Sequence, residues 1–421
     1  MARKMKDSGI EWIGEIPEGW EIVPVRSCFD EVRTKNTDGQ EQNALQFKSG
    51  NIISKTNFNA SMDDYVADTI TNYTVVLPDT VMINGLNLNY DFKSLRVALV
   101  KEKGVITSAY LAIFPDRKKI FPQYATYLFK GYESKMAFHN MGAGIRKTLG
   151  YKEFKNQPLL LPSKEEQNKI SAYLDSKCSH IDIMLSKIRS SIEEYKKLKQ
   201  TVITQAVTKG VRGEREMKDS GVAWIGTYPS NWKIIKIKWL LHERKDRSIT
   251  GLEEPLSMSQ KKGLIPTKDM DSIPNMASSF IGAKLVYKGD LVFNKLKAHL
   301  GVFSVSKYNG LVSPDYAVYH STGPANLNFL ELLFKTPQYI NEFKKKSSGV
   351  GAGLTRLYTG DLYSIYCALP PLVEQEEIAD YLDAKCAEID KLIAKKEQLV
   401  KEMESYKKSL IYEVVTGKRE V

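Results

Sequence analysis

Cysteine is scarce: Cys28, Cys178, Cys367 and Cys386 are the only four in 421 residues. None forms a Cys-x-x-Cys pair, which excludes a zinc ribbon or thioredoxin-type site, and their scatter fits reduced thiols rather than a disulfide framework. No run approaches the ~20 apolar residues of a membrane span. The basic residues 1–6 are followed by no apolar leader, so a cytoplasmic protein without membrane contact is expected. The five histidines, His139, His180, His242, His299 and His320, lack metal-ligand spacing. A GxxxxGK[ST] loop is missing, and Gly349-Val350-Gly351-Ala352-Gly353 follows a lysine run rather than a clear strand, so no nucleotide cofactor is expected in this chain. The sole Pro-Pro pair, Pro370-Pro371, lies between Leu369 and Leu372 and cannot serve as an adenine methyltransferase motif.

What is present is basic and globular. A hydrophobic fraction of 42% allows a sizeable core, and 61 Lys and Arg against 50 Asp and Glu give a formal charge of +11. Such a surplus attracts polyanions, nucleic acid foremost. The length suits two or three domains.

The chain is written twice. Residues 5–20, MKDSGIEWIGEIPEGW, return at 217–232 as MKDSGVAWIGTYPSNW, with ten of sixteen positions identical. Residues 161–182, LPSKEEQNKISAYLDSKCSHID, return at 369–390 as LPPLVEQEEIADYLDAKCAEID, with twelve of twenty-two identical. The opening motif holds Trp12, Pro17 and Trp20, then Trp224, Pro229 and Trp232, aromatics around a proline turn that suit a structural anchor. Between the motifs lie variable stretches, roughly 21–157 and 233–367, where β-type runs alternate with glycine and proline. They read as α+β domains.

The closing segments are long helices with a 3.5-residue apolar period. In the first, Leu174, Cys178, Ile181, Leu185, Ile188, Ile192, Tyr195, Val202 and Ala206 form the seam, and Lys199 breaks it beside Leu198. In the second, Leu382, Cys386, Ile389, Ile393, Val400, Met403, Leu410 and Val414 continue the rule, while Lys396 and Lys407 interrupt it with Leu399 and Tyr406 as substitutes nearby. An apolar seam needs a partner helix. The other copy in the same chain, antiparallel, is the economical choice, since tethering raises effective concentration; a second chain is the alternative. The expected organisation is residues 1–160 as a first domain, 161–212 as a first helix, 213–368 as a second domain and 369–421 as a second helix.

In order, duplication and spacing, the set SGxxWIGxxPxxW, variable domain, LPxxxEQxxIxxYLDxK and a helix ending in Val207-Thr208-Lys209-Gly210 or Val415-Thr416-Gly417-Lys418 resembles the specificity subunit of type I restriction-modification enzymes. The resemblance spans essentially the whole chain. It implies a non-catalytic protein with two target-recognition domains, each reading one half of a split, asymmetric double-stranded DNA site. It implies a paired-helix spacer, two methylation subunits carrying S-adenosylmethionine, and restriction subunits using ATP and Mg. The swapped order of the closing glycine and lysine leaves the helix ends open.

Candidate DNA contacts are basic and amide-bearing residues, since Arg suits guanine, Asn and Gln suit adenine, and Lys suits phosphate. In the first domain these are Asn84, Asn87, Asn89, Lys93, Arg96, Arg146 and Lys147. In the second they are Asn294, Lys295, Lys297, His299, Lys344, Lys345, Lys346 and Arg356. One rival exists: Pro115-Asp116 followed by Glu133-Ser134-Lys135 matches a loose metal-nuclease pattern, but Pro314-Asp315 has no such sequel and a chance match explains it better.

Overall fold

The computed structural model describes residues 3–48, 50–55, 70–92, 95–141, 147–260, 262–272, 279–349 and 355–421. The chain divides into two compact units, residues 1–189 with 397–421, and residues 190–396.

The head of the first unit is an antiparallel four-stranded sheet, ordered Phe29–Glu31, Leu111–Pro115, Val81–Ile83, Val97–Leu99. The helix Pro122–Ser134 packs against it, burying Tyr124, Leu128, Phe129 and Tyr132. Proline at the first helical position has no N–H to leave unsatisfied there. Smaller antiparallel pairs join Leu45–Lys48 to Asn51–Ser54 and Thr74–Val76 to Gly104–Ile106. The pair Glu21–Pro24 with Pro158–Leu161 ties the entry of the head to its exit.

The second unit repeats this plan. Its sheet is ordered Leu241–Glu243, Tyr316–Ser321, Leu291–Asn294, Phe303–Val305. Leu256–Ser259 pairs with Gly263–Pro266, Lys284–Val286 with Gly310–Val312, and Lys233–Lys236 with Tyr366–Leu369. The repeat visible in the motifs is therefore also a repeat of topology across the variable stretches. One difference is helical: two short helices, Leu327–Phe334 and Pro337–Lys346, stand where the first head has one. Pro337 cannot continue a preceding helix and starts a new one.

Each head grows out of paired helix. The first long helix is Lys164–Lys209 and the second Leu372–Val415. In the first unit Ile170, Leu174, Cys178, Ile181 and Leu185 share one core with Leu410, Ile411, Val414 and Val415. In the second, Ala206 and Val207 share a core with Ile378 and Leu382. The start of one helix thus lies with the end of the other in both units, an antiparallel coiled coil within one polypeptide. Ile192, Ile389 and Leu410 are buried, and Ile188, Tyr195, Cys386, Ile393, Val400 and Met403 are half-buried.

The interrupting lysines do not yield to their apolar neighbours. Leu198, Leu399 and Tyr406 remain exposed. Lys199 stays in the seam and its Nζ donates to both carboxylate oxygens of Asp390 at 2.7 and 2.6 Å. Lys407 does the same to Asp182 at 2.6 and 2.7 Å. Lys396 Nζ lies 5.6 Å from the Tyr195 ring centre. A long methylene stem buries against the seam while the ammonium reaches the partner helix, so bringing in the neighbour is unnecessary. The two bridges are equivalent positions of the repeat, 208 residues apart at each end.

The helix ends differ by the swapped glycine. Gly210 follows the first helix with φ +78°, and Gly417 closes the second with φ +72°. A Cβ on Gly417 would stand 2.3 Å from Pro17 of the opening motif, so only glycine fits.

The closing motif's Glu-Gln pair explains itself structurally. Gln167 accepts the Phe121 N–H at 2.8 Å and donates to the carbonyls of Lys119 and Pro162. Gln375 accepts the Asn326 N–H at 2.8 Å and donates to those of Pro324 and Pro370. Each glutamine fastens its head to its helix. Glu166 pairs with Arg3 at 2.5 Å and accepts the Trp20 indole N–H at 2.9 Å. Glu374 pairs with Arg215 at 2.5 Å and accepts from Asn231. Trp20 and Trp232 are buried, as anchors.

Candidate nucleic-acid interface

In the first head the buried strand Val81–Ile83 delivers Asn84 to a loop. The Asn84 side-chain oxygen accepts the Leu86 N–H at 3.1 Å, a turn that asparagine makes locally. Gly85 O accepts the Leu149 N–H at 2.9 Å, and Lys147 O accepts the Leu88 N–H at 3.3 Å. These bonds bring Lys147 beside Asn84, Asn87 and Asn89. A Cβ on Gly85 would meet Leu149 O at 2.5 Å, so glycine permits the close approach. Asn87 sits at φ +53°, a left-handed conformation that asparagine tolerates better than most residues. Asn87 and Lys147 are exposed, while Asn84 and Asn89 are half-buried. Lys93 and Arg146 lie outside the described residues.

Arg96 departs from the expectation of a DNA contact. It is 1% exposed. Its guanidinium donates to Asn84 O and Leu86 O at 2.9 Å each, and to Asp91 O at 2.5 Å. Its backbone N–H donates to the Glu133 carboxylate. Burial pushes the Glu133 carboxyl up to about 7, against the pull of that N–H and of Lys130, Arg96 and Lys408. Beside the loop, exposed Phe92 stacks on His139 with ring centres 5.1 Å apart.

The second head rebuilds the same turn with other side chains. The Asn294 oxygen accepts the Leu296 N–H at 3.1 Å, and Lys295 O accepts the Leu357 N–H at 3.0 Å. Asn294 N–H donates to Val302 O where Asn84 N–H donates to Arg96 O. Lys295 therefore stands where the first head has Gly85, and Val302 where it has Arg96. Lys297 is exposed, and Lys295 and His299 are half-buried. The Leu357 bond brings Arg356 alongside, where its Nη2 pairs with Asp315 at 2.8 Å. Lys344, Lys345 and Lys346 are exposed on the last turn of the helix Pro337–Lys346, which packs against the Ala298–Leu300 turn.

A charged network beneath this turn was not legible in the sequence. Lys284 Nζ donates to Glu243 at 2.8 Å and to Tyr316 O at 2.8 Å, and Thr359 donates to the other Glu243 oxygen at 2.6 Å. Burial works against the Glu243 anion, but the bonds from Lys284 and Thr359 hold it below the ordinary carboxylate range. Burial, then the nearby Lys284 charge, lowers Lys295.

The nuclease-like residues do not assemble into a site. Asp116 caps its own turn through the Lys118 N–H and pairs with Lys119 at 3.5 Å. Glu133 is bonded to the Arg96 backbone, and Lys135 Nζ lies 4.4 Å from the Tyr412 ring centre. Among the described residues no group of three or more His, Cys, Asp or Glu is placed to hold a metal ion. No described helix is long and apolar enough to cross a membrane.

No family model matches the chain. It is 26% identical over 421 residues, covering 96% of this chain and 95% of the relative, to a protein of Methanocaldococcus jannaschii named as the MjaX specificity subunit of a type I restriction enzyme. It is 22% identical over 425 residues, covering 96% and 93%, to the type I restriction enzyme MjaVIII specificity subunit of the same organism. Among solved structures, a chain from work on complex assembly and conformational transition of the type I R-M system aligns with a TM-score of 0.68 at 15% identity, covering 96% of this chain and 99% of that one. The HsdS subunit of Thermoanaerobacter tengcongensis aligns with a TM-score of 0.51 at 16% identity, covering 96% and 98%.

Proposed function

From its likeness along the full length to specificity subunits of type I restriction enzymes, we propose that this chain is one of them, a non-catalytic, two-headed reader of double-stranded DNA. Residues 1–160 and 213–368 are the target-recognition domains, each addressing one half of an asymmetric, split site. The observation that carries this reading is the duplicated turn. Asn84–Asn89 and Asn294–His299 share the asparagine turn and its flanking backbone hydrogen bonds but differ in most of the remaining side chains, as two readers of different half-sites require. Asn87, Lys147 and Lys297 are exposed for contact; Asn84, Asn89, Asn294, Lys295, His299 and Arg356 shape the surface around them. Lys344–Lys346 supply phosphate affinity.

Residues 161–212 and 369–421 serve as spacer and dock. Helices of 46 and 44 residues are each about 65–70 Å long. Exposed apolar side chains recur at equivalent positions of the repeat, Met184 with Leu392 and Leu198 with Tyr406. A face duplicated in this way suits two copies of one partner, the methylation subunits. S-adenosylmethionine, ATP and Mg belong to the methylation and restriction subunits, and the complex acts in the cytoplasm.

Co-expression with a cognate methylation subunit, followed by mapping of modified adenines across a genome, tests the reading. A split motif is expected. Replacing residues 21–157 with those of another family member should change one half of it; a change in both halves, or a continuous motif, overturns the assignment.

A further inference from the structure

Resting on the reading that the Asn84–Asp91 loop meets DNA, we infer that Arg96 is the positioning residue of the first half-site: it holds the reading loop in shape and touches no nucleic acid. The two heads show why one needs such a residue. The segment joining the sheet strands runs from Asn84 to Arg96 in the first head and from Asn294 to Val302 in the second, so the first is four residues longer. The short segment closes on itself. Lys297 N–H donates to Asn294 O, Gly301 N–H to Ala298 O, and Val302 N–H to Lys297 O, with Gly301 at φ +74°.

The longer segment turns the carbonyls of Asn84, Leu86 and Asp91 inward, and the Arg96 guanidinium bonds all three. An arginine offers five donors in a rigid fork and no other side chain matches that reach. Leaving those carbonyls without donors would favour a different loop. Its charge faces the Asp91 carboxylate at 3.7 Å and the Glu133 carboxylate that accepts its own backbone N–H. At 1% exposure it cannot reach a base or a phosphate without dismantling the loop.

The test uses the full chain in complex with its methylation subunit and duplexes carrying the mapped split site, or that site with one half scrambled. Arg96→Met should bind the intact site about 5- to 150-fold more weakly, the worth of a lost base contact, and should lose discrimination at one half only. The slope of log affinity against log salt should not change, because no phosphate contact is removed. Hydrogen exchange should accelerate in residues 85–92 and not in the helices. Gly85→Ala disturbs the same loop from its other anchor, Leu149, while leaving Arg96 in place, and should give the same one-sided loss.

A salt slope reduced by about 0.9 would mean that Arg96 touches phosphate and would overturn the inference. Equal loss at both halves, or unchanged discrimination in both variants, would also overturn it. Arg96→Lys, which keeps the charge but not the fork, is expected to restore little of the discrimination, and full recovery would count against a positioning role. A wild-type complex that prefers no split site overturns the recognition reading itself, and the inference with it.

Discussion

Replacing Glu374 by alanine should unfold the second head far more readily than the same change at Glu166 unfolds the first. The two glutamates are equivalent in the repeat but not in environment. Glu374 is fully buried, and its partner Arg215 has a side chain only 15% exposed. Removing one member of a buried ion pair leaves the other charge without compensation, which costs about 3–5 kcal/mol. Asn231 loses an acceptor as well, and the first turn of the helix loses an anion worth about 0.3–1 kcal/mol. Glu166 is partly exposed, and so is Arg3, which water can solvate once the carboxylate is gone. What remains there is the first-turn anion, whose loss costs the same about 0.3–1 kcal/mol as at Glu374 and so cancels in the comparison, and the Trp20 N–H, whose lost bond costs about 1–2 kcal/mol. The expected gap between the variants is thus about 2 kcal/mol. Native-state hydrogen exchange reads each head separately, through Lys233–Lys236 against Glu21–Pro24. Equal destabilisation, or less than about 0.5 kcal/mol in both, would refute the reasoning from burial.

Three further outcomes are expected. Glu133 has a folded pKa of about 7, above its unfolded value, so its contribution is full below about pH 4.5 and lost as pH rises through 7. Glu133→Gln should therefore flatten a fall of up to about 3 kcal/mol between pH 5 and 8 in urea titrations, and parallel curves would count against it. Lys199→Leu with Lys407→Leu should raise the melting temperature but admit pairing with other chains, seen as dimers by light scattering, because a polar seam residue fixes register at a cost in stability. Leu174→Ala, at a fully buried seam position, should lose about 2–5 kcal/mol, whereas Leu198→Ala on the exposed face should stay within about 0.5 kcal/mol by denaturant titration.

The pattern in which Lys199 and Lys407 stay in the seam shows where local reading is strong and where it stops. Heptad spacing identified the faces of both helices, because residues three and four apart share a side regardless of what they meet. It could not decide between Lys199 and Leu198. That choice turned on Asp390, 191 residues away, offering a carboxylate across the pair. The motif Glu-Gln was equally visible, but the task of its glutamine depended on backbone N–H and C=O groups of loops 46 to 51 residues away.

Duplication, domain class and the apolar seam were determined by the sequence alone, since each depends on repeats or on neighbours within a few positions. Tertiary structure decided the rest. Arg96 reads as a surface cation in a polar, basic stretch, yet it is buried under its own loop because three inward carbonyls needed donors. Lys284, Glu243 and Thr359 meet only because separate strands and a helix converge. Burial and hydrogen-bond demand are properties of that convergence, and linear order does not encode them in any short window.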